Sequence, residues 1–177
     1  MYKRQANNQI AQILIGLENV CKEYAPDYIM AVGDVNSTLA AALTANKLNI
    51  GLMHLESGLR SFDRSMPEEI NRIITDELSN VYFVTEQSGY DNLIKENRPA
   101  KNIFMVGNTM IDTLVAFDSE IKTSGILNDL NLVGYDYVVA TMHRPSNVDS
   151  MEGLDRIVAL LNYFSKDFKV VFPVHPR

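Results

Sequence analysis

The sequence predicts an α/β fold of doubly wound, Rossmann-like parallel sheets, and three observations carry that prediction. Short apolar runs rich in strand-forming residues alternate with helix-period segments along the whole chain. Several of those runs are continuously apolar, as strands buried on both faces of a parallel sheet are. Polar turns, several with glycine, follow them, where a parallel sheet carries its ligand-binding loops.

The first helical pattern runs through Ile10, Ile13, Leu14, Leu17 and Val20. Tyr28–Val32 reads as a strand, and Thr38–Leu48 as a helix rich in alanine. Ile50–Leu55 is the next strand, followed by a polar loop and a helix over Pro67–Leu78 with Ile70, Ile73, Ile74 and Leu78 as its core stripe. Val81–Val84, Ile103–Val106, Tyr137–Thr141 and Lys169–Val174 complete the strands. Helices are expected over Glu86–Glu96, after Asn108, and over Met151–Phe164. The polar, glycine-bearing stretch from Ala116 to Tyr135 reads as a linker or surface excursion. A domain boundary is expected beside Gly107, giving a partial first domain over 6–107 and the start of a second over 108–177. The N-terminal helix lacks a strand before it and the last strand lacks an element after it, so the expectation is a fragment missing sequence on both sides.

Bulk composition narrows the function. With 177 residues, 46% hydrophobic and 21% charged, the chain is of ordinary globular make-up. A net charge of −6 without a basic run argues against a nucleic-acid partner. Cys21 is the only cysteine, which excludes an internal disulfide and speaks against a cysteine-based zinc site. A reducing, cytoplasmic setting fits that usage. No apolar stretch approaches the roughly 20 residues that span a bilayer, so no membrane partner is expected.

Four polar segments carry candidate chemistry. Gly33-Asp34-Val35-Asn36-Ser37-Thr38 follows a strand, so Asp34 either caps the next helix or faces a ligand crevice. It is not a phosphate-binding P-loop, because the glycine–lysine spacing is absent. His54-Leu55-Glu56-Ser57-Gly58-Leu59-Arg60 places His54 and Glu56 on one face if the strand runs that far. Glu56 is either a reactive carboxylate or the ion-pair partner of Arg60 or Arg64, and Gly58 suits a sharp turn or a close ligand approach. Ser65-Met66-Pro67-Glu68 matches a capping box, and Glu68 with Arg72 has the i,i+4 spacing of a surface pair. His143-Arg144-Pro145-Ser146-Asn147 follows another strand, where an imidazole and a guanidinium could hold a diphosphate. The three histidines are too scattered for a metal site, and no cofactor is expected.

Taken together, these segments closely resemble the UDP-N-acetylglucosamine 2-epimerase family. The matching stretches are Gly33-Asp34, H-L-E-S-G-L-R at 54–60, P-E-E-I-N-R at 67–72, V-G-N-T-M-I-D at 106–112 and M-H-R-P-S-N at 142–147. The resemblance implies a GT-B arrangement of two Rossmann-like domains, of which this chain holds most of the first and the start of the second. It implies Asp34, Glu56 and Glu68 as catalytic carboxylates and His143 as the catalytic histidine near the diphosphate. Arg72, Arg144, Asn147 and His175 are the residues expected to bind substrate. The implied reaction inverts carbon 2 of UDP-N-acetylglucosamine by eliminating UDP to 2-acetamidoglucal and adding it back. A hydrolysing relative that releases UDP and N-acetylmannosamine, or a non-catalytic nucleotide-sugar binding domain, are the alternatives. The family also implies a homodimer, and the fragment alone is expected to be inactive. This chain departs from the family pattern at Ser146, where an acidic residue is frequent, and at V-H-P-R over 174–177, where some members read V-H-x-N.

Overall fold

The computed structural model describes residues 6–142 and 145–174. The chain forms two compact units, Met1–Val115 and Ala116–Arg177. The first begins with α1 (Ala6–Tyr24) and continues β1 (Tyr28–Val32), α2 (Asn36–Leu48), β2 (Gly51–Leu55), α3 (Pro67–Leu78), β3 (Val81–Val84), α4 (Gln87–Lys95), β4 (Ile103–Met105) and α5 (Thr109–Ala116). Its four strands are parallel and lie in chain order, β1-β2-β3-β4. The predicted strands and helices of this unit are present, with ends shifted by at most two residues.

Register explains where the core sits. Ala31 pairs with His54, His54 with Tyr82, and Tyr82 with Ile103, so these four share one face of the sheet, and all are buried. One core cluster joins Ala31 and Leu52 to Ala41, Ala42 and Ala45 of α2, and a second joins Tyr82, Val84 and Ile103 to Leu93 of α4. Small residues let α2 approach the sheet closely. Asn49 then ends that helix in the left-handed conformation, with φ 55°. On the opposite face Tyr28, Met30 and Val32 are about half exposed. Coverage of both faces, expected from the apolar runs, is therefore not seen among the described residues. Right-handed crossovers between parallel strands in chain order bring every connecting helix to the same side.

The second unit holds α6 (Asp118–Thr123), α7 (Ile126–Asp129), β5 (Tyr137–Val139), α8 (Pro145–Val148), α9 (Met151–Phe164) and β6 (Lys169–Val171). β5 and β6 pair in parallel, with Tyr137 opposite Lys169. Both strands are shorter than expected, and Pro173 offers no N–H with which to extend β6. The stretch from Ala116 to Tyr135, exposed except at Leu132, contains two short helices. Ser150 caps α9 by accepting a hydrogen bond from the Gly153 N–H at 3.1 Å.

Candidate functional site

Two turns at the carboxyl ends of β1 and β2 form the centre of the first unit's site. Gly33 has φ +69°, a value that favours glycine, and its N–H donates to the Leu55 carbonyl at 3.0 Å. That bond fastens the Asp34 turn to the end of β2. A Cβ built on Gly33 would lie 3.5 Å from Glu56 Oε2, so the Glu56 carboxylate sits directly beside the Asp34 turn. Glu56 itself has φ +68°, an unusual conformation for a side-chain-bearing residue that marks a constrained site. It lies just past β2, which ends at Leu55, so His54 and Glu56 do not share a strand face as the sequence suggested.

Asp34 does not cap α2, whose N-cap is Val35 without a side-chain bond. Its carboxylate instead pairs with Arg72, Oδ2 to Nη2 at 2.5 Å, while its carbonyl accepts from Asn71 Nδ2 at 2.8 Å. Both partners come from α3, which thereby closes over the turn. Asp34, Glu68, Asn71, Asn36 and Gln9 share the lining of one cavity of about 350 Å³. The capping box predicted for Glu68 is absent: Met66 is the N-cap, and Ser65 turns to Asp63 Oδ1 with both its N–H and its hydroxyl. The predicted Glu68–Arg72 surface pair is replaced by Arg72–Asp34. Glu68 thus serves no cap and stands exposed on the cavity wall.

The second turn is anchored by a buried polar network. Asp76 on α3 accepts from Gly58 N–H (Oδ2, 3.0 Å) and Arg60 Nη1 (Oδ2, 2.7 Å), and its Oδ1 lies 2.6 Å from His54 Nδ1. His54 Nε2 donates to the Gly33 carbonyl at 2.8 Å. Arg60 also makes a two-pronged contact to Glu96, through Nε at 2.9 Å and Nη2 at 2.7 Å. Burial alone would lower the Arg60 pKa, but the Glu96 hydrogen bonds and the Asp76 charge outweigh it and hold it above the ordinary value. Pairing of Glu56 with Arg60, anticipated above, is therefore not seen. Gly58 has φ +79°, and a Cβ there would lie 2.7 Å from the carbonyl carbon of Gly89 and 2.9 Å from its Cα. Close approach of α4, together with the sharp turn, accounts for that glycine.

Glu69 escaped the sequence reading although it lies in P-E-E-I-N-R. It is 2% exposed and accepts from Ser61 N–H (2.8 Å), Ser61 Oγ (3.0 Å) and Phe62 N–H (3.2 Å). Burial raises its pKa, but these three donors and the Arg60 charge more than compensate, leaving it below the usual value. Glu69, Asn71, Thr75 and Asp76 are the buried residues of α3, whereas Ile70, Ile73, Ile74 and Leu78 are only partly buried. The expected core stripe thus yields to a buried polar face. An acidic residue repeated on that face, at 69 and 76, was the available signal.

In the second unit, exposed Asn147 lines a cavity of about 240 Å³ with Met142, Gly153, Arg156, Ile157 and Leu160. His143, expected at the diphosphate, and Arg144 and His175, expected to bind substrate, lie outside the described residues. Among the described residues there is no cluster of three or more potential metal ligands, and no helix is long and apolar enough to cross a membrane.

Residues 2–177 match the family model described as UDP-N-acetylglucosamine 2-epimerase. A UDP-N-acetylglucosamine 2-epimerase homolog of Methanococcus maripaludis is 42% identical over 171 residues, covering 96% of this chain and 47% of the relative. A Pseudomonas aeruginosa UDP-2,3-diacetamido-2,3-dideoxy-D-glucuronate 2-epimerase is 41% identical over 170 residues, covering 94% and 47%. The crystal structure of the Methanocaldococcus jannaschii UDP-GlcNAc 2-epimerase in complex with UDP-GlcNAc and UDP superposes with a TM-score of 0.87 at 38% identity. That match covers 97% of this chain and 48% of the other. The chain spans about half the length of the curated relatives it matches. The Rossmann-like, GT-B-type α/β class read from the sequence agrees with these neighbours.

Proposed function

The chain belongs to the UDP-N-acetylglucosamine 2-epimerase family, and from that premise we propose that the protein carrying it is an isomerase inverting carbon 2 of UDP-N-acetylglucosamine. The observation that carries this reading is the convergence of carboxylates. Asp34 and Glu56 stand on adjoining turns, and Glu68 shares a cavity wall with Asp34.

In the proposed reaction a carboxylate removes the carbon 2 proton as the bond from carbon 1 to the UDP oxygen breaks, giving 2-acetamidoglucal and UDP. UDP then re-forms its bond to carbon 1 while a proton is delivered to the opposite face of carbon 2. Asp34, Glu56 and Glu68 serve these acid and base steps, since proton transfer needs groups within hydrogen-bond reach of the reacting atom. Arg72 holds the Asp34 carboxylate in orientation through its 2.5 Å contact. His143, with Arg144, Asn147 and His175, attends the UDP portion, where donors stabilise charge on the leaving diphosphate. Homodimerisation and a cytoplasmic setting belong to the same proposal.

The test is solvent exchange. Intact protein turning over UDP-N-acetylglucosamine in deuterium oxide is expected to place deuterium at carbon 2 of recovered UDP-sugar, and Asp34→Asn or Glu56→Gln is expected to abolish it. Free N-acetylmannosamine with UDP as the products would instead support the hydrolysing reading. UDP binding without exchange would support a non-catalytic domain. A second substrate reading has one observation in its favour: the Pseudomonas relative of nearly equal identity is named for a diacetamido glucuronate sugar. Comparing turnover of the two UDP-sugars separates these readings, because the carbon 2 chemistry is common to both.

A further inference from the structure

Among the described residues of the first unit, His54 and Asp76 are the most deeply buried ionisable pair, each side chain 0% exposed. A buried pair of this kind adds little net stability relative to apolar residues of similar size, so its consequence lies in geometry. Gly33 O can only accept, so His54 Nε2 must donate to it, and Nδ1 meets Asp76 Oδ1 at 2.6 Å. Asp76 Oδ2 takes the Gly58 N–H at 3.0 Å. The result is a continuous bridge from the Gly33 carbonyl, through imidazole and carboxylate, to the Gly58 amide. One end adjoins Asp34, because the Gly33 carbonyl and the Asp34 N–H belong to the same peptide unit. The other end lies two residues beyond Glu56. Gly33 and Gly58 take their positive φ, 69° and 79°, without strain. Glu56 at 68° carries a side chain, so the turn that holds it needs external restraint to keep its shape.

We propose that the His54–Asp76 pair is a positioning latch that sets the separation of the Asp34 and Glu56 carboxylates without touching substrate. The proposal rests on the reading of those carboxylates as the acid and base at carbon 2. It predicts that the two halves of the bridge are separable by isosteres. An asparagine at 54 can place its amide near the ring Nδ1 position, reaching Asp76 but not Gly33. A glutamine can place its amide near the Nε2 position, reaching Gly33 but not Asp76.

In the intact protein, His54→Asn is expected to lower kcat by about 100-fold, the scale of a misplacement near 1 Å. KM and UDP affinity are expected to stay within about threefold, because binding is left largely untouched. His54→Gln is expected to recover activity to within about tenfold of wild type, since it restores the contact at Gly33. A folded His54→Asn protein with kcat within threefold of wild type overturns the latch, as does a loss confined to KM and UDP affinity. Amide NMR spectra decide the latch even if wild type shows no carbon 2 exchange, an outcome that would sink the functional reading alone. The Asp34 amide should move in His54→Asn while the Val84 and Leu93 amides stay in place. An unmoved Asp34 amide refutes the latch. Should His54→Asn fail to fold, His54→Gln carries the same test at the other end, with the Gly58 amide expected to move and its constancy refuting the proposal.

Discussion

Gly58→Ala tests whether the second turn is shaped by the protein's own packing. Two costs combine at this position. Left-handed backbone costs a residue with Cβ about 1–2 kcal/mol relative to glycine, and Gly58 has φ +79°. The added methyl would also lie 2.7 Å from the Gly89 carbonyl carbon and 2.9 Å from its Cα. Those are backbone atoms of α4, which cannot rotate aside, and such overpacking typically costs about 1–3 kcal/mol. The sum is about 2–5 kcal/mol, a large share of the roughly 5–15 kcal/mol that holds a domain together. Gly107 supplies the control, with nearly the same φ of +78° and nothing within 4 Å of its built Cβ. Gly107→Ala should therefore show only the conformational cost, about 1–2 kcal/mol. Urea unfolding of both variants, followed by circular dichroism with slopes compared, measures the difference. Equal destabilisation of the two would refute the packing account, because it would leave the Gly89 contact without effect.

Two further predictions address the residues around the site. Glu69→Gln should destabilise by about 1–3 kcal/mol at neutral pH, since a buried carboxylate with three donors is replaced by a group that cannot satisfy them all. The folded-state pKa of Glu69 lies below its ordinary 4.5, so its contribution is full above that value and is lost as pH falls through the folded pKa. The gap between wild type and Glu69→Gln in urea midpoints should accordingly narrow in acid, and a gap that widens below pH 4.5 contradicts the assignment. Arg72→Lys should change stability by less than about 1 kcal/mol because the pair is partly solvated. It should nonetheless lower carbon 2 exchange by roughly 10–100-fold, as an ammonium cannot reproduce the guanidinium's fixed geometry on Asp34. Undiminished exchange would remove Arg72 from the site.

Element order was legible because its signals are local. The apolar run Tyr28–Val32 and the proline at the start of α3 each act over a few residues. Glu68 shows the limit of that reasoning. The S-x-x-E pattern was present, yet Ser65 found a nearer acceptor in Asp63 and the cap did not form. α3 shows it again: Ile70, Ile73 and Ile74 read as the core stripe, whereas Glu69, Asn71, Thr75 and Asp76 are the buried side chains. A hydrophobicity pattern counts polar residues as outward-facing, and it has no means of knowing that donors will be waiting inside.

The parallel α/β class, the order of the first unit's strands and helices, and the candidate carboxylates at strand ends are legible along the chain. Backbone propensity, apolar periodicity and motif spacing are all written along the chain. The partners are set by folding: Arg72 for Asp34, Asp76 and Glu96 for Arg60, and Gly89 against Gly58. Each contact joins residues 16 to 38 positions apart. Which charge meets which at such a separation depends on how strands register and helices pack, and that geometry exists only once the chain has folded.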